Sequence, residues 1–329
     1  MADSYLKTVS VMVGLNLLLG IGLRANAQQT TPSRLALAGE QATQSQKPET
    51  KEAASKTEEK KSEFTRIRRD EEGNPIAFET SIVRYVGKNK KGEDISVDLV
   101  GAIHIGEKAY YERLNKQFEG YEALLYELVA PEGTKIEKGA QRKSGFSAVS
   151  SLQRTMKDFL GLDFQLDHID YTKKNFIHAD MSPDEFSKSM KANEESGMRI
   201  FFKMLGHSVG AQGKPGAMSD ADIISLLFAK DRDVKLRRLM AEQLQSGDDM
   251  LSVFEGKDGS TIITHRNKKA LSVLQREIDN GKQNLGIFYG AGHFPDMEQR
   301  LIEEFKLKKT DEKWISAWQL TDEPVKGDR

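Results

Sequence analysis

Two histidines and one glutamate stand where their side chains could do chemistry, because each follows a short run of apolar residues. Gly101 and His104 end one run and Gly290 and His293 end another, both in the pattern Gly-x-x-His. Imidazole is an acid-base group near neutral pH and a common metal ligand. Glu127 ends a third apolar run, where an ionised carboxylate needs a cation. Two imidazoles and a carboxylate form the donor set of catalytic zinc, manganese or iron sites.

A structural interpretation of these three residues also stands. A single Gly-x-x-His arises readily by chance, and its histidine can simply bond a loop carbonyl. Here the pattern uses two of only six histidines, both between a predicted strand and a predicted helix. That shared context favours a functional pair. The alternative for Glu127 is an ion pair with a structural arginine.

Two polar residues lie on the apolar face of a predicted helix. Residues 260–280 fit a helix closed by Gly281, and its apolar positions are Ile263, Ala270, Leu271, Leu274 and Ile278. Arg266 and Asn267 fall on that same face, so we expect both to point towards the core. A buried guanidinium needs a carboxylate or an anionic substrate group, and a buried amide needs hydrogen bonds. His265 and Lys268 are expected to face solvent.

Strands alternating with helices must position these residues. The predicted elements are a hairpin of strands 78–86 and 95–103, helix 107–118, strands 123–128 and 176–179, a helix capped by Ser182 with Pro183 and Glu185, strand 285–289, helix 295–305 and strand 314–320. This order predicts an α/β (α+β) fold with a mixed, partly parallel sheet, flanking helices and two strand–Gly-x-x-His–helix units. A helical insertion is expected at about 140–250. Ligands of open α/β sheets bind at the carboxyl ends of the strands.

Other candidates carry less information. His178 and Asp180 follow the predicted strand at 176–179, and Asp180 is equally well explained as part of a helix cap. His168 and His207 are expected at the surface. The sequence holds no Gly-x-Ser-x-Gly elbow, phosphate-binding loop, dinucleotide glycine motif or His-Glu-x-x-His helix. Serine hydrolases, kinases and NAD enzymes therefore lose their usual support.

Composition removes further classes. The 49 basic and 50 acidic residues leave a net charge of −1, so no basic excess exists to follow a phosphate backbone, and a nucleic-acid partner is disfavoured. The chain has no cysteine, which excludes disulfides, thiolate metal sites and a cysteine nucleophile. A metal must be held by His, Asp, Glu or backbone oxygen.

The amino terminus predicts export. Residues 1–27 combine Lys7, an apolar stretch at 9–23 and the small-residue pattern ending at Ala27, which is typical of a cleaved signal peptide. An uncleaved anchor is the alternative, although the stretch is short for a span of about 20 residues. Residues 28–66 are polar and predicted to be a disordered linker. The folded domain is expected at 67–325, in a periplasmic or secreted protein without a membrane span after cleavage.

Four short motifs together resemble a known family. Gly101-Ala102-Ile103-His104, Tyr126-Glu127-Leu128, His265-Arg266-Asn267-Lys268 and Gly290-Ala291-Gly292-His293-Phe294 are similar, in order and context, to the signature of the TraB/PrgY/GumN family. That family is grouped with the Tiki proteases and, more distantly, with erythromycin esterases and ChaN haem-binding proteins. The likeness covers about residues 80–320. His265 departs from it, standing where an acidic or variable residue is expected, and residues 131–250 match no motif.

The resemblance implies a sheet of two related halves and a Tiki-like, metal-dependent peptidase site. His104, Glu127 and His293 would hold a divalent Mn, Co or Zn ion, with Glu127 as ligand or general base. Arg266 and Asn267 would orient a peptide or small-molecule substrate or stabilise developing charge. The alternative is a non-enzymatic binder that sequesters a signalling peptide or haem. The donor set alone also allows a non-haem iron oxygenase.

Overall fold

The fold is known from a computed structural model that describes residues 64–134, 136, 160–193, 229–246 and 260–322. Its strands are β1 Thr65–Arg69, β2 Pro75–Lys88, β3 Asp94–Ala102, β4 Ile105–Gly106, β5 Ala123–Tyr126, β6 Asp163–Phe164, β7 Phe176–His178, β8 Asn284–Gly290 and β9 Lys308–Gln319. Its α-helices are α1 Lys108–Phe118, α2 Gln165–His168, α3 Pro183–Ala192, α4 Arg232–Ser246, α5 Arg266–Asp279 and α6 Phe294–Glu303. A π-helical turn, Thr261–His265, precedes α5, and a 3₁₀ turn, Ala291–His293, precedes α6.

The main sheet is mixed. Strands β3, β8, β5 and β7 lie side by side in that order and run parallel. Strand β2 pairs antiparallel with β1, β3 and β9. Because β9 pairs along the stretch of β2 that also meets β1 and β3, those two strands share the opposite edge of β2. The α/β class and the partly parallel sheet predicted from the sequence are confirmed.

Hydrophobic cores lie on both faces of the sheet. Helix α1 covers one face through Tyr110, Tyr111, Leu114 and Phe118. Helices α5 and α6 belong to the second core through Leu274, Ile278, Met297 and Leu301. Successive strand residues point to opposite faces, so Leu124 enters the first core and Leu125 the second. The three layers hold the sheet rigidly between helices.

The predicted elements have close counterparts. The hairpin, the four later strands, the helices at 107–118 and 295–305 and the capping box of α3 are confirmed, with Ser182 accepting from the Glu185 N–H. The predicted helix at 260–280 differs at its start, which is the π-helical turn. The described parts of the predicted insertion contain α2, α3, α4 and strands β6 and β7. The predicted signal peptide and most of the linker lie outside the described residues, and β1 begins two residues before the predicted boundary at 67.

Gly286 provides a test of the sheet packing. A Cβ atom at this position of β8 would stand 2.8 Å from the Leu124 Cδ1 and 2.9 Å from the Tyr121 ring. Both neighbours are buried, so they cannot move without disturbing the core. We expect Gly286→Ala to lower the free energy of unfolding by about 1–3 kcal/mol, measured by urea denaturation. Gly120→Ala is the control because its new Cβ would meet only the Gln117 carbonyl, at 3.4 Å. Equal stability of the two variants would contradict this packing.

Candidate functional site

The ends of the four parallel strands bring the candidate residues to one edge of the sheet. Glu127 directly follows β5, His104 and Asp180 come two residues after β3 and β7, and His293 ends the 3₁₀ turn after β8. The register aligns these ends, since Tyr126 lies opposite both Phe288 and His178. Parallel pairing therefore collects polar side chains that are far apart in the sequence.

Arg266 connects two of these strand ends. Its Nε donates to Asp180 Oδ1 at 2.9 Å, and its Nη2 donates to Asp180 Oδ2 at 2.5 Å and to Glu127 Oε1 at 2.7 Å. The Asp180 side chain is fully buried, and the side chains of Arg266 and Glu127 are 9% and 14% exposed. The prediction that Arg266 points towards the core is confirmed, and its partners there are Asp180 and Glu127. Its Nη1 makes no hydrogen bond within the described part of the chain.

These contacts keep the charges of the ion pair. Burial raises the pKa of Glu127, but the Arg266 guanidinium, the two histidines and the Gly290 N–H together outweigh burial and hold that pKa well below its ordinary value. Burial likewise lowers the pKa of Arg266, whereas Asp180 and Glu127 hold it well above its ordinary value. Two buried carboxylates thus face one guanidinium, which leaves one negative charge among these three groups.

Asn267 fixes the orientation and tautomer of His293. The Asn267 Nδ2 donates to the His293 carbonyl at 2.9 Å and to Asp296 Oδ2 at 2.8 Å. Both partners only accept, so the other end of the amide, Oδ1, must be the atom that lies 2.6 Å from His293 Nδ1. The proton of a neutral His293 is therefore on Nδ1, and Nε2 carries a lone pair. Burial lowers the pKa of His293 to about 4, although Glu127 opposes the shift.

The lone pair of His293 faces Glu127. His293 Nε2 is 3.6 Å from Glu127 Oε1, while Glu127 Oε2 accepts the Gly290 N–H at 2.8 Å. Two lone-pair donors at this separation suit a cation bonded to both: ligand atoms about 2.1 Å from a tetrahedral zinc ion lie about 3.4 Å apart. A carboxylate has about four lone-pair sites, so Glu127 can keep its bonds to Arg266 and Gly290 as well. The pair fits two positions of a metal site.

The third predicted ligand, His104, stands apart from this pair. Its Nδ1 lies 3.3 Å from Gln165 Oε1, and its charge affects the pKa of both Glu127 and His293. Within the described residues, no group of three or more His, Cys, Asp or Glu side chains is already gathered to hold a metal ion. The structure thus brings Glu127 and His293 together and leaves His104 as a nearby third donor.

His265 contradicts the expectation that it faces solvent. It is half-buried, and its Nδ1 lies 2.7 Å from Ser189 Oγ and 3.4 Å from Asn193 Nδ2. Both partners belong to the carboxyl-terminal end of α3. The cause is the π-helical turn, which rotates residue 265 towards α3 instead of continuing the α-helical face. Lys268 is exposed as predicted.

Sequence reasoning missed other polar partners. Gln165 and Asp296 contact His104 and Asn267, and no periodicity or motif marks either residue. For Asp180 the sequence allows both a site role and a helix-cap role. Its position after a fourth parallel strand is the signal that favours the site. Within the described residues, His178 makes no hydrogen bond to a site residue. Its Nε2 donates to the Leu128 carbonyl at 2.6 Å.

Two further histidines, His168 and His207, are not part of the predicted site. His168, expected at the surface, is half-buried and stacks on Tyr111 with ring centroids 5.6 Å apart. His207 lies outside the described residues.

Among the helices of the described ranges, none is long and apolar enough to cross a membrane.

Comparison of the chain with protein-family models, with curated proteins and with solved structures finds no match. The likeness to the TraB/PrgY/GumN family therefore rests on the four motifs, of which three contribute residues to the edge described above. The arrangement itself offers a neutral imidazole lone pair, an ionised carboxylate and a guanidinium donor within one buried group.

Asp180→Asn tests the ion pair. The change leaves Arg266 with one charged partner in a buried position, and breaking a buried pair costs about 3–5 kcal/mol. We expect the free energy of unfolding to fall by about 3 kcal/mol, since Glu127 remains. Asp184→Asn is the matched control, because Asp184 is exposed in the first turn of α3 and its loss costs at most about 1 kcal/mol. A similar small loss in both variants, measured by chemical denaturation, would refute the assigned role of Asp180.

Proposed function

We propose that this chain is an extracytoplasmic, metal-dependent hydrolase of peptide bonds. The observation that carries the proposal is the geometry of His293, whose Nε2 lone pair is fixed by Asn267 and faces the Glu127 carboxylate at 3.6 Å. A cation between two acceptors held face to face in a buried site stabilises both of them. The negative charge left over by Glu127, Asp180 and Arg266 supports the same conclusion.

His293, Glu127 and His104 are the residues that would hold the ion. A divalent ion bound there supplies Lewis-acid polarisation of the scissile carbonyl and acidifies water.

The protein residues have separate tasks. Arg266 directs its Nη1 as a donor to the oxygen on which negative charge develops, while its other nitrogens are anchored on Asp180 and Glu127. Asn267 holds the imidazole of His293 in place. Glu127 is the anion that attracts the ion and one of the groups that would hold it. Such fixed donors need no reorganisation during the reaction, which is the usual source of electrostatic catalysis.

The support for peptide substrates and for an extracytoplasmic location comes from the sequence. The four motifs resemble a family that includes the Tiki peptidases, and the amino-terminal residues 1–27 have the pattern of an export signal. A pure binder of peptide or haem would use the same histidines without turnover. Hydrolysis therefore has to be measured separately from binding.

Metal binding is the first test. Full-length protein is stripped with chelator, titrated with Co²⁺ and followed by visible absorption, and turnover is followed with a library of internally quenched peptides in Mn²⁺, Co²⁺ or Zn²⁺. We expect one equivalent of Co²⁺ to bind and peptide cleavage to return with it. His293→Ala should lose both, because it removes a donor that Asn267 positions. His178→Gln is the control, since this strand-end histidine contacts only the Leu128 carbonyl and the Tyr126 ring.

The outcomes separate the alternatives. Wild-type protein that neither binds metal nor cleaves any peptide refutes the proposal. Cleavage that survives chelation refutes the metal-dependent part. Peptide binding without cleavage in all three metals, or a haem absorption band lost in His293→Ala, would show the binder instead.

Arg266→Lys tests the oxyanion role. A lysine ammonium keeps the charge but cannot reproduce the planar fork that bonds Asp180 and Glu127 while presenting Nη1. We expect kcat to fall about 10²–10³-fold, the usual loss for one oxyanion donor, in a protein that circular dichroism shows to be folded. Arg276→Lys on the same helix, whose side chain is 53% exposed, should keep wild-type turnover. Full activity of Arg266→Lys would exclude the role.

A further inference from the structure

Gln165 and Tyr171 are buried polar residues that the hydrolase described above does not yet use. They are 7% and 4% exposed, and Gln165 Nε2 donates to the Tyr171 hydroxyl at 2.6 Å. Neither belongs to a motif of the sequence. Gln165 lies beside His104, the predicted ligand that stands apart from Glu127 and His293.

Gln165 is fastened to His104 through two different groups. Its backbone N–H donates to the His104 carbonyl at 2.9 Å, and its side-chain Oε1 lies 3.3 Å from His104 Nδ1. The small antiparallel sheet of β4 and β6 makes this possible, because Ile105 pairs with Phe164. His104 directly precedes Ile105 and Gln165 directly follows Phe164, so the two residues lie opposite each other. A small two-stranded sheet thus serves to bring an amide to an imidazole.

The Gln165 amide presents its acceptor end to His104. Its Nε2 donates to the Tyr171 hydroxyl, and the atom that faces His104 Nδ1 is Oε1. An acceptor requires a proton on Nδ1, so the lone pair of a neutral His104 is on Nε2. His293 has the same tautomer, imposed by Asn267.

We propose that Gln165, hydrogen-bonded to Tyr171, is a positioning residue that holds His104 in the tautomer with a lone pair on Nε2, ready to bind a metal ion. The proposal rests on the proposed function, in which His104 is a ligand. Groups that hold the second nitrogen of a ligating histidine fix its tautomer and ring orientation, and their loss costs about 10–100-fold in metal affinity. Each of the two histidines would then have its own amide holder, Gln165 or Asn267.

The test begins with metal-free protein, so that it does not depend on metal binding. Full-length protein labelled with ¹⁵N-histidine is studied by long-range ¹H–¹⁵N correlation at a pH of about 8, where unperturbed imidazoles are neutral. The His104 signals are identified by their loss in His104→Ala. We expect the Nδ1–H tautomer in wild type and a shift towards Nε2–H in Gln165→Leu. Gln165→Glu should keep the wild-type tautomer, because a carboxylate also accepts from Nδ1–H.

Co²⁺ affinity is the second readout. We expect a loss of about 10–100-fold in Gln165→Leu and a smaller loss in Tyr171→Phe, with a mixture of tautomers because the amide can turn. Tyr126→Phe is the matched control: its ring contacts that of Tyr171 at 4.9 Å, but its hydroxyl bonds the Thr134 carbonyl. It should change neither readout.

An Nε2–H tautomer in the wild type would overturn the proposal, and so would an unchanged tautomer in folded Gln165→Leu. Should that variant not fold, Tyr171→Phe decides in its place: a tautomer mixture supports the relay and a wild-type spectrum refutes it. Failure of the wild type to bind Co²⁺ would refute the proposed function, whereas the NMR result would still decide the role of Gln165.

Discussion

The buried guanidinium of Arg266 is the charge on which the arrangement of this site depends. Parallel strands β5 and β7 end side by side and deliver Glu127 and Asp180 to one buried location. Two carboxylates brought together away from water repel each other and lose hydration. Only a cation with several donors in one plane can satisfy both, which an arginine provides and a lysine does not.

This requirement extends to helix α5. The apolar residues Ala270, Leu274 and Ile278 pack one side of the helix against the sheet, and Arg266 lies on the continuation of that side. Docking the helix therefore inserts the guanidinium between the strand ends. The next residue, Asn267, enters the same region and holds His293. A single face of α5 consequently determines both the packing of the core and the geometry of the site.

Amides as holders of the histidines have a chemical consequence. A carboxylate beside Nδ1 would attract a second proton to the ring and favour the imidazolium ion. An amide oxygen accepts from Nδ1–H without adding charge, so it fixes the tautomer and leaves the ring neutral. Burial already lowers the pKa of His293 to about 4. Both effects keep a lone pair available at Nε2, the property that a metal ligand or a base requires.

Much of this could be predicted from the sequence, and the parts that could not have a common cause. Period-two and helical patterns located the strands, and the face of helix 260–280 placed Arg266 and Asn267 in the core, because these signals depend on neighbours in the chain. Gln165 and Asp296 act through partners that are distant in sequence, so local patterns carry no mark of them. His265 was wrongly placed because a π-helical turn changes the angular position of a residue without any change in composition.

The two Gly-x-x-His motifs look alike in the sequence but are used differently in the fold. Gly290 lets the Glu127 carboxylate come close enough to accept its N–H at 2.8 Å, and a Cβ there would stand 3.4 Å from Glu127 Oε2. The glycine and His293 of this motif thus approach the same carboxylate from two sides. At Gly101 a Cβ would instead meet the Ser81 carbonyl at 3.1 Å, so that glycine serves strand packing.

The histidines differ in the same sense. His293 is held by a residue of α5, the helix that also carries Arg266, so its position is tied to the ion pair. His104 is held by Gln165, which the separate β4–β6 pair supplies. One imidazole is therefore oriented from the charged centre and the other from the β4–β6 pair, which Trp318 of β9 bonds through the Ile105 carbonyl. Two different parts of the fold thus give the two imidazoles the same tautomer, each by placing an amide oxygen against Nδ1.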